Sequence, residues 1–214
     1  MKIILASASK RRSKILKECR IPHTVVVSSA PEKMDPKRGV AFNVLHNARA
    51  KARKIAKRYR EGFVIGADTV VLLGKRLIGK PKTRKQARSL LKAFSGKTLL
   101  VYTGLCVINA QSGKSAEGID VSKVHVRKLP RENINAFVKV AGPHDKAGGF
   151  SIEGPGAFLF DHIEGSFYNV LGLPMMKLDE LFRKLGVDFL GQCRPLPPLY
   201  STANTPSTKY PRLV

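Results

Sequence analysis

Apolar and polar residues alternate along the chain in patterns that predict a mixed α/β fold. Short apolar runs at 2–6 and 23–29 are typical of strands, and the nearly continuous run at 63–73 indicates a strand buried on both faces. Residues 40–60 and 83–94 carry apolar side chains at helical spacing and predict amphipathic helices. Strands and helices therefore mix along the chain, as in α/β and α+β proteins.

The second half of the chain continues this mixture. Residues 98–109 and 114–129 flank a Gln-Ser-Gly turn and predict a long hairpin, and a short helix is expected over 130–141. A final amphipathic helix closes a single predicted domain, residues 1–188. Residues 189–214 are basic and rich in Pro, Ser and Thr, which predicts a mobile tail or a loosely docked arm.

The charge balance is strongly basic, with 39 Lys and Arg against 15 Asp and Glu and a net charge of +24. Such an excess concentrates polyanions at the surface, whether nucleoside triphosphates, RNA or DNA. A solvated basic surface that only keeps the protein soluble explains the same charge.

The apolar runs and the cysteines of the sequence predict the cellular compartment. The longest apolar runs fall well short of the roughly 18–20 residues that a membrane span needs, and the first run is too short for a signal peptide. Three widely spaced cysteines, Cys19, Cys106 and Cys193, have no metal-type spacing and indicate reduced thiols in a cytoplasmic protein.

The first predicted helix poses an electrostatic problem. Ser9 is its expected N-cap, yet its first turn is dense in cations, at Lys10, Arg11, Arg12 and Lys14. Unpaired backbone N–H groups already make this end of a helix positive. An anion is therefore expected here, and the hydroxyl of Ser7, the arginines and the helix N–H groups would together suit a phosphate.

Two acids are candidate metal ligands. Asp68 lies in the apolar segment IGADTVV, where an ionised carboxylate needs a cation, a metal or nearby backbone amides as its partner. Glu32 follows the second predicted strand and is either an exposed loop acid or a second carboxylate that faces Asp68. Two such oxygen ligands, together with water and substrate phosphates, would suit Mg²⁺ or Mn²⁺.

Four lysines are candidate phosphate ligands. Lys80 and Lys82 flank a proline that restrains the local backbone, and Lys146 precedes two glycines that would let the backbone approach a ligand. Lys51 lies among many cations on the long helix, so spacing does not distinguish it. The chain has no GxxxxGK[ST], GxGxxG or GxSxG motif, so covalent catalysis and the common nucleotide folds are not indicated.

Several segments together resemble one family of enzymes. In chain order they are LASASKRRSKIL, the acid at Glu32, NARAKA, IGADTVV, GKPKT, SGKTLLVYTG, DKAGGFSIEG and IEGSFYNVLGLP. They are similar to the motifs of Maf nucleoside triphosphate pyrophosphatases, over roughly residues 2–188. The resemblance implies an elongated mixed sheet flanked by helices, in two lobes with a nucleotide cleft between them, as in the Maf/ITPase-like fold.

The resemblance also implies an activity and a site. The activity is metal-dependent hydrolysis of nucleoside triphosphates to monophosphate and pyrophosphate, in a house-cleaning role and by a homodimer. Glu32 and Asp68 would hold the metal and orient or deprotonate the attacking water, and Lys80 would assist catalysis by offsetting developing charge. The expected substrate-binding residues are Ser7, Arg11, Arg12, Lys51, Lys80, Lys82, Lys146 and Glu153.

Two positions depart from the family pattern, Lys10 where a proline is usual and Glu153. The branch that prefers dTTP and UTP combines an Arg, a Lys and a Gln at the positions of Arg11, Lys82 and Glu153. A Glu at the last position is typical of the branch that prefers 7-methyl-GTP. Glutamine both donates to and accepts from a pyrimidine edge, whereas ionised glutamate only accepts. Arg11 and Lys82 match the pyrimidine branch, and Glu153 matches the other branch. We therefore predict pyrimidine nucleotides and keep 7-methyl-GTP as the alternative.

Two other classes of function stay open at this stage. A basic nucleic-acid-binding protein without catalysis would explain the charge of +24, but the chain has no recognised nucleic-acid motif and only 7% aromatic residues. A Maf-like scaffold that has lost turnover is a further alternative.

Overall fold

The computed structural model describes residues 1–140 and 152–195, which form one twisted sheet with helices on both faces. The strands are β1 (Ile3–Leu5), β2 (Thr24–Val25), β3 (Phe63–Leu73), β4 (Arg76–Ile78), β5 (Thr98–Asn109), β6 (Ser115–Val126) and β7 (Phe160–Glu164). The α-helices are α1 (Lys10–Glu18), α2 (Gly39–Ala56), α3 (Arg84–Phe94), α4 (Arg131–Val140), α5 (Phe167–Val170) and α6 (Met175–Lys184). Short 3-10 helices are Pro36–Arg38, Gly154–Leu159 and Leu190–Gln192.

The sheet is mixed and elongated. Its order is β2-β1-β3-β5-β6-β7, with β4 paired to the far end of β3. The β1 strand is parallel to β2 and β3, and the other pairs are antiparallel. The predicted α/β class with an elongated mixed sheet is therefore confirmed.

Three apolar clusters divide the core. On one face, α1 and α6 cover the first half of β3, at Phe63, Ile65 and Ala67, and α3 and α4 cover its second half, at Val71. These residues share a face because side chains alternate along a strand. The other face, at Val64, lies under α2. Thr69 lies between the two clusters of this face in the sequence of β3, and the predicted division into two lobes stays a prediction.

Two glycines bring α2 unusually close to the sheet. A Cβ atom at Gly66 would lie 2.2 Å from the Ala48 carbonyl oxygen, and one at Gly104 would lie 2.5 Å from the Val44 carbonyl oxygen. Any larger side chain at either position would push the helix outward. This close contact places the side chains of α2 beside Asp68.

Most predicted elements are confirmed, including the caps of α1 and α3: Ser9 accepts from the Arg12 N–H and Thr83 from that of Gln86. The β7 strand was not predicted. Phe189, in the predicted tail, is buried with its ring centroid 4.4 Å from that of Phe182. Residues 196–214 lie outside the described residues, and the division at 188 stays a prediction.

Two further features concern the cysteines and the helices. The three cysteines are unpaired, and burial raises the pKa of the Cys106 thiol to about 12. In the part of the chain that the structure describes, every helix is too short or too polar to cross a bilayer.

Candidate active site

A gap along one edge of β3 forms the centre of the candidate site. On this edge, β1 pairs with Phe63–Ile65 and β4 pairs with Val71–Leu73. Between them, residues 66–70 have no strand partner on that edge within the described ranges. The carbonyl oxygen of Ala67 accepts instead from Arg12 Nη1 at 2.9 Å and from Lys51 Nζ at 3.3 Å. Cationic side chains from α1 and α2 thus converge where strand pairing is interrupted.

The two predicted acids meet at Lys51. Its Nζ lies 2.7 Å from Glu32 Oε1 and 2.7 Å from Asp68 Oδ1. Asp68 and Lys51 are both buried, whereas the Glu32 side chain is 62% exposed. The hydrogen bond from Lys51 lowers the pKa of Glu32 despite partial burial, which favours the ionised carboxylate. The hypothesis that Glu32 faces Asp68 agrees with this geometry.

The arrangement of these acids fits a divalent cation. Their oxygens converge on a single positive group, the Lys51 ammonium, so the site already accommodates a cation between two carboxylates. Carboxylate oxygens are the ligands that Mg²⁺ and Mn²⁺ prefer. Glu32 and Asp68 are the residues that could hold such an ion.

Two asparagines of α2 hold the loop that carries Glu32. Asn47 donates to Asp68 Oδ2 at 3.0 Å and to the Lys33 carbonyl, and its own carbonyl accepts from the Lys33 N–H at 2.9 Å. Asn43 accepts from the Asp35 N–H at 2.8 Å. Both side chains are buried. Asparagines on a helix carry no catalytic signal in a single sequence, and neither residue was predicted as part of the site.

Replacing Asn47 with Ala should therefore affect both stability and substrate binding. The change removes three hydrogen bonds and leaves buried partners unsatisfied, so we expect a loss of about 1–3 kcal/mol in the free energy of unfolding. Glu32 should become less well positioned, which should raise KM for the substrate. Urea unfolding and steady-state kinetics test this, with exposed Asn133 changed to Ala as the control; equal effects of both changes would contradict the assigned role.

Arg12 is buried and fastens three segments together. Its Nε donates to the Gly172 carbonyl at 2.7 Å, Nη1 donates to Ser7 Oγ at 3.1 Å and to the Ala67 carbonyl, and Nη2 donates to Thr69 Oγ1 at 2.9 Å. At least four of the five guanidinium N–H groups thus bind protein acceptors. The structure gives Arg12 a positioning role, while its predicted phosphate contact stays a prediction.

The neighbouring cations at the start of α1 have an acidic partner. Glu153 Oε2 lies 3.5 Å from Arg11 Nε, and Glu153 Oε1 lies 3.5 Å from Lys14 Nζ. The charge of Glu153 is the main cause that raises the pKa of Lys14. The anion expected at this turn is therefore, in the described structure, the carboxylate of Glu153.

A cleft of about 890 Å³ opens over these groups. Eight predicted residues line it: Ser7, Arg11, Arg12, Glu32, Lys51, Lys80, Asp68 and Glu153. Lys82 is exposed and is not in its lining, and Lys146 lies outside the described residues. Thr69 and Gly172 line the cleft but were not predicted. The sequence indicated these two residues only indirectly, since each lies in a motif, IGADTVV or NVLGLP, on which the family resemblance rests.

A comparison with protein families identifies the family of this chain. The family model described as Maf-like protein matches residues 2–185, nearly all of the described chain. The chain belongs to the Maf family. The predicted resemblance is thus confirmed.

Curated Maf relatives cover almost the whole domain. A protein of Methanosarcina barkeri (strain Fusaro / DSM 804) named dTTP/UTP pyrophosphatase is 40% identical over 190 residues, which is 86% of this chain and 94% of that protein. A protein of Aquifex aeolicus (strain VF5) with the same name is 41% identical over 187 residues, 87% of this chain and 97% of that protein.

A solved structure with partial similarity is the nucleoside-triphosphatase / dITP/XTP pyrophosphatase of Mycobacterium abscessus. It is 16% identical, has a TM-score of 0.38, and the match covers 61% of this chain and 76% of that chain.

Proposed function

We propose that this Maf protein hydrolyses nucleoside triphosphates to nucleoside monophosphate and pyrophosphate in the cleft around Lys51. The observation that carries the proposal is the convergence of Glu32, Asp68 and Lys51 at the free edge of β3, within a cleft rich in cations. The names of the relatives, dTTP/UTP pyrophosphatase, support the same reaction.

The residues of the cleft suit attack of water on the α-phosphorus. Water adds to that phosphorus, its proton passes to a carboxylate of Glu32 or Asp68, and the bond to the α–β bridging oxygen breaks as pyrophosphate leaves. Lys80 and Arg11 line the cleft and would offset the negative charge that develops on the phosphate oxygens. Lys51 is within reach of both acids and, once released from them, would bind a phosphate.

A divalent cation completes the proposed site. Glu32 and Asp68 would hold Mg²⁺ or Mn²⁺, because their oxygens already converge on one cationic group. When bound, the ion would polarise a phosphoryl oxygen and favour deprotonation of water. From the resemblance we also propose a homodimer and a cytoplasmic house-cleaning role.

We propose pyrimidine nucleotides, dTTP and UTP, as the preferred substrates. The relatives' names support this choice. Glu153 is paired with Arg11 and Lys14, so its carboxylate is neutralised by neighbours and does not stand as an isolated acceptor for a guanine edge. Three residues were predicted to select the base: Arg11, Lys82 and Glu153. Of these three, Arg11 and Glu153 line the cleft and Lys82 does not.

The test is release of monophosphate and pyrophosphate from dTTP, UTP, CTP, GTP, ATP and 7-methyl-GTP, with Mn²⁺ and with EDTA. We expect turnover that needs Mn²⁺ and is fastest with dTTP and UTP. Fastest turnover of 7-methyl-GTP would contradict the base preference but not the reaction. An absence of turnover, with tight salt-dependent RNA binding, would favour the nucleic-acid-binding alternative.

Replacing Glu153 with Gln should strengthen the pyrimidine preference. A glutamine amide both donates and accepts, so it matches the imide edge of uracil or thymine better than a carboxylate. We expect the ratio of kcat/KM for dTTP to kcat/KM for 7-methyl-GTP to rise about tenfold, as for one gained hydrogen bond. Lys14→Gln is the control, since it removes one ion pair of Glu153 and leaves the carboxylate in place. An unchanged ratio in the glutamine variant would remove Glu153 from base selection.

A further inference from the structure

Three potential metal ligands meet outside the cleft. They are His125 of β6 and His162 and Glu164 of β7, and one ligand atom from each lies within 4.8 Å of the others. His125 lies opposite Thr98 and Asp68 lies opposite Gly104, so the cluster and Asp68 are on the same face of the sheet. Gly104 is six residues further along β5 than Thr98, so the cluster lies about 20 Å along the sheet from Asp68 and outside the cleft lining.

The register of the sheet brings the members of this cluster together. His125 is directly opposite His162, and the two rings are stacked with centroids 4.0 Å apart and planes 11° from parallel. His125 Nε2 lies 2.7 Å from Glu164 Oε1. Its other nitrogen, Nδ1, is 3.0 Å from Thr98 Oγ1, a contact of the kind that orients metal-ligating histidines through their second nitrogen.

A backbone irregularity falls at the same place. The pairing of β6 with β7 shifts between His125 and Val126, whose partners are His162 and Phe160, so that Asp161 is an extra residue in β7. Such bulges redirect side chains and are frequent beside functional sites. Here the bulge directly adjoins the histidine pair.

We propose that His125, His162 and Glu164 bind a transition-metal ion of the Zn²⁺ or Ni²⁺ class and thereby link β6 to β7. Two imidazole nitrogens and one carboxylate oxygen suit these ions, whereas Mg²⁺ and Mn²⁺ prefer the all-oxygen set of the cleft. Ligand atoms around tetrahedral zinc are about 3.3 Å apart, so ligand atoms that lie within 4.8 Å of one another must close in by at most about 1.5 Å. His162 and Glu164 are exposed and can make that movement.

The charge of Lys123 disfavours metal binding, and this residue therefore provides a second test of the site. Its Nζ lies 2.9 Å from Glu164 Oε2, on the carboxylate whose other oxygen faces His125. A cation so close raises the electrostatic cost of a bound dication. Removing it should tighten metal binding by about three- to tenfold at low ionic strength.

The position of the site links it to the cleft. β7 follows the 3-10 helix that begins after Glu153, and it precedes the loop whose Gly172 carbonyl accepts from Arg12. An ion that fastens β7 to β6 would hold both segments to the sheet. The expected consequence is a higher melting temperature of the whole domain.

The test is zinc binding, measured by competition with a chromophoric chelator on chelator-treated protein, and thermal unfolding with and without zinc. We compare the wild type with His162→Gln, Glu164→Gln and Lys123→Gln, and His46→Gln serves as the matched histidine control outside the cluster. Circular dichroism checks that each variant is folded.

We expect the wild type and His46→Gln to bind one more zinc ion than His162→Gln or Glu164→Gln, whose affinity at this site should fall by at least about tenfold. Zinc at a hundredfold excess over Kd should raise Tm by about 5 °C in the first pair but not in the second. Zinc bound equally by the wild type and His162→Gln, or by neither, would overturn the proposal.

Discussion

Replacing Asp68 with Asn should lower pyrophosphate release from dTTP by about 10²- to 10⁴-fold, the range for loss of a positioned acid–base group. The change removes one of the two carboxylates that converge on Lys51 while it keeps the size of the side chain. Lys51 keeps its contacts with Glu32 and the Ala67 carbonyl, so we expect a stability loss of only about 1–3 kcal/mol. The variant should therefore be folded and inactive.

Asp120→Asn is the matched control for this change. Asp120 is a half-buried aspartate of β6, in the same sheet but outside the cleft lining, and burial raises the pKa of its carboxyl. The Asp120→Asn variant should retain wild-type turnover. Product release measured by ion-exchange chromatography, with melting temperatures for both variants, separates catalysis from folding. Near-normal turnover in Asp68→Asn would contradict the proposed role of the acid.

Replacing Arg12 with Ala should produce the largest loss of stability among the site variants. At least four hydrogen bonds from a buried guanidinium disappear, and the Ala67 and Gly172 carbonyls lose a donor. We expect a loss of about 3–4 kcal/mol, equivalent to a fall of about 10 °C in Tm. Thr69 and Gly172 should also become less well held, so activity should fall with stability.

The adjacent residue is a close control. Arg11→Ala removes the same side chain one position earlier, at a partly exposed site where the described ion pair is with Glu153 at 3.5 Å. Its effect on unfolding should stay below about 1 kcal/mol, while KM for dTTP should rise. Calorimetry and kinetics on both variants test this separation. Equal losses of Tm in the two variants would contradict the positioning role of Arg12.

Much of the fold could be predicted because it depends on local patterns. The β3 strand was predicted with its observed ends, Phe63–Leu73, since a long apolar run with β-branched residues has few other interpretations. The cap at Ser9 was likewise predicted from its own neighbourhood. The β7 strand, Phe160–Glu164, was missed because its exposed edge position and charged residues give no clean alternation.

The chemistry of the site depends on contacts between distant segments, and there the sequence is less informative. Lys51 is one cation among many on α2, and its selection depends on Gly66 and Gly104, which let the helix approach the sheet. Arg11 and Arg12 are neighbours in the sequence, but they point about 100° apart on the helix, so that one is buried and the other reaches Glu153. Family resemblance named these residues, but their partners required the structure.

Hydrolysis of dTTP in ¹⁸O-labelled water, with Mn²⁺ and with EDTA, tests the central claim most directly. Attack of water on the α-phosphorus places the label in dTMP and leaves pyrophosphate unlabelled. We predict that outcome in the presence of Mn²⁺, with little product in EDTA. Label in pyrophosphate or inorganic phosphate, or no turnover of dTTP at all, would contradict the account of this cleft.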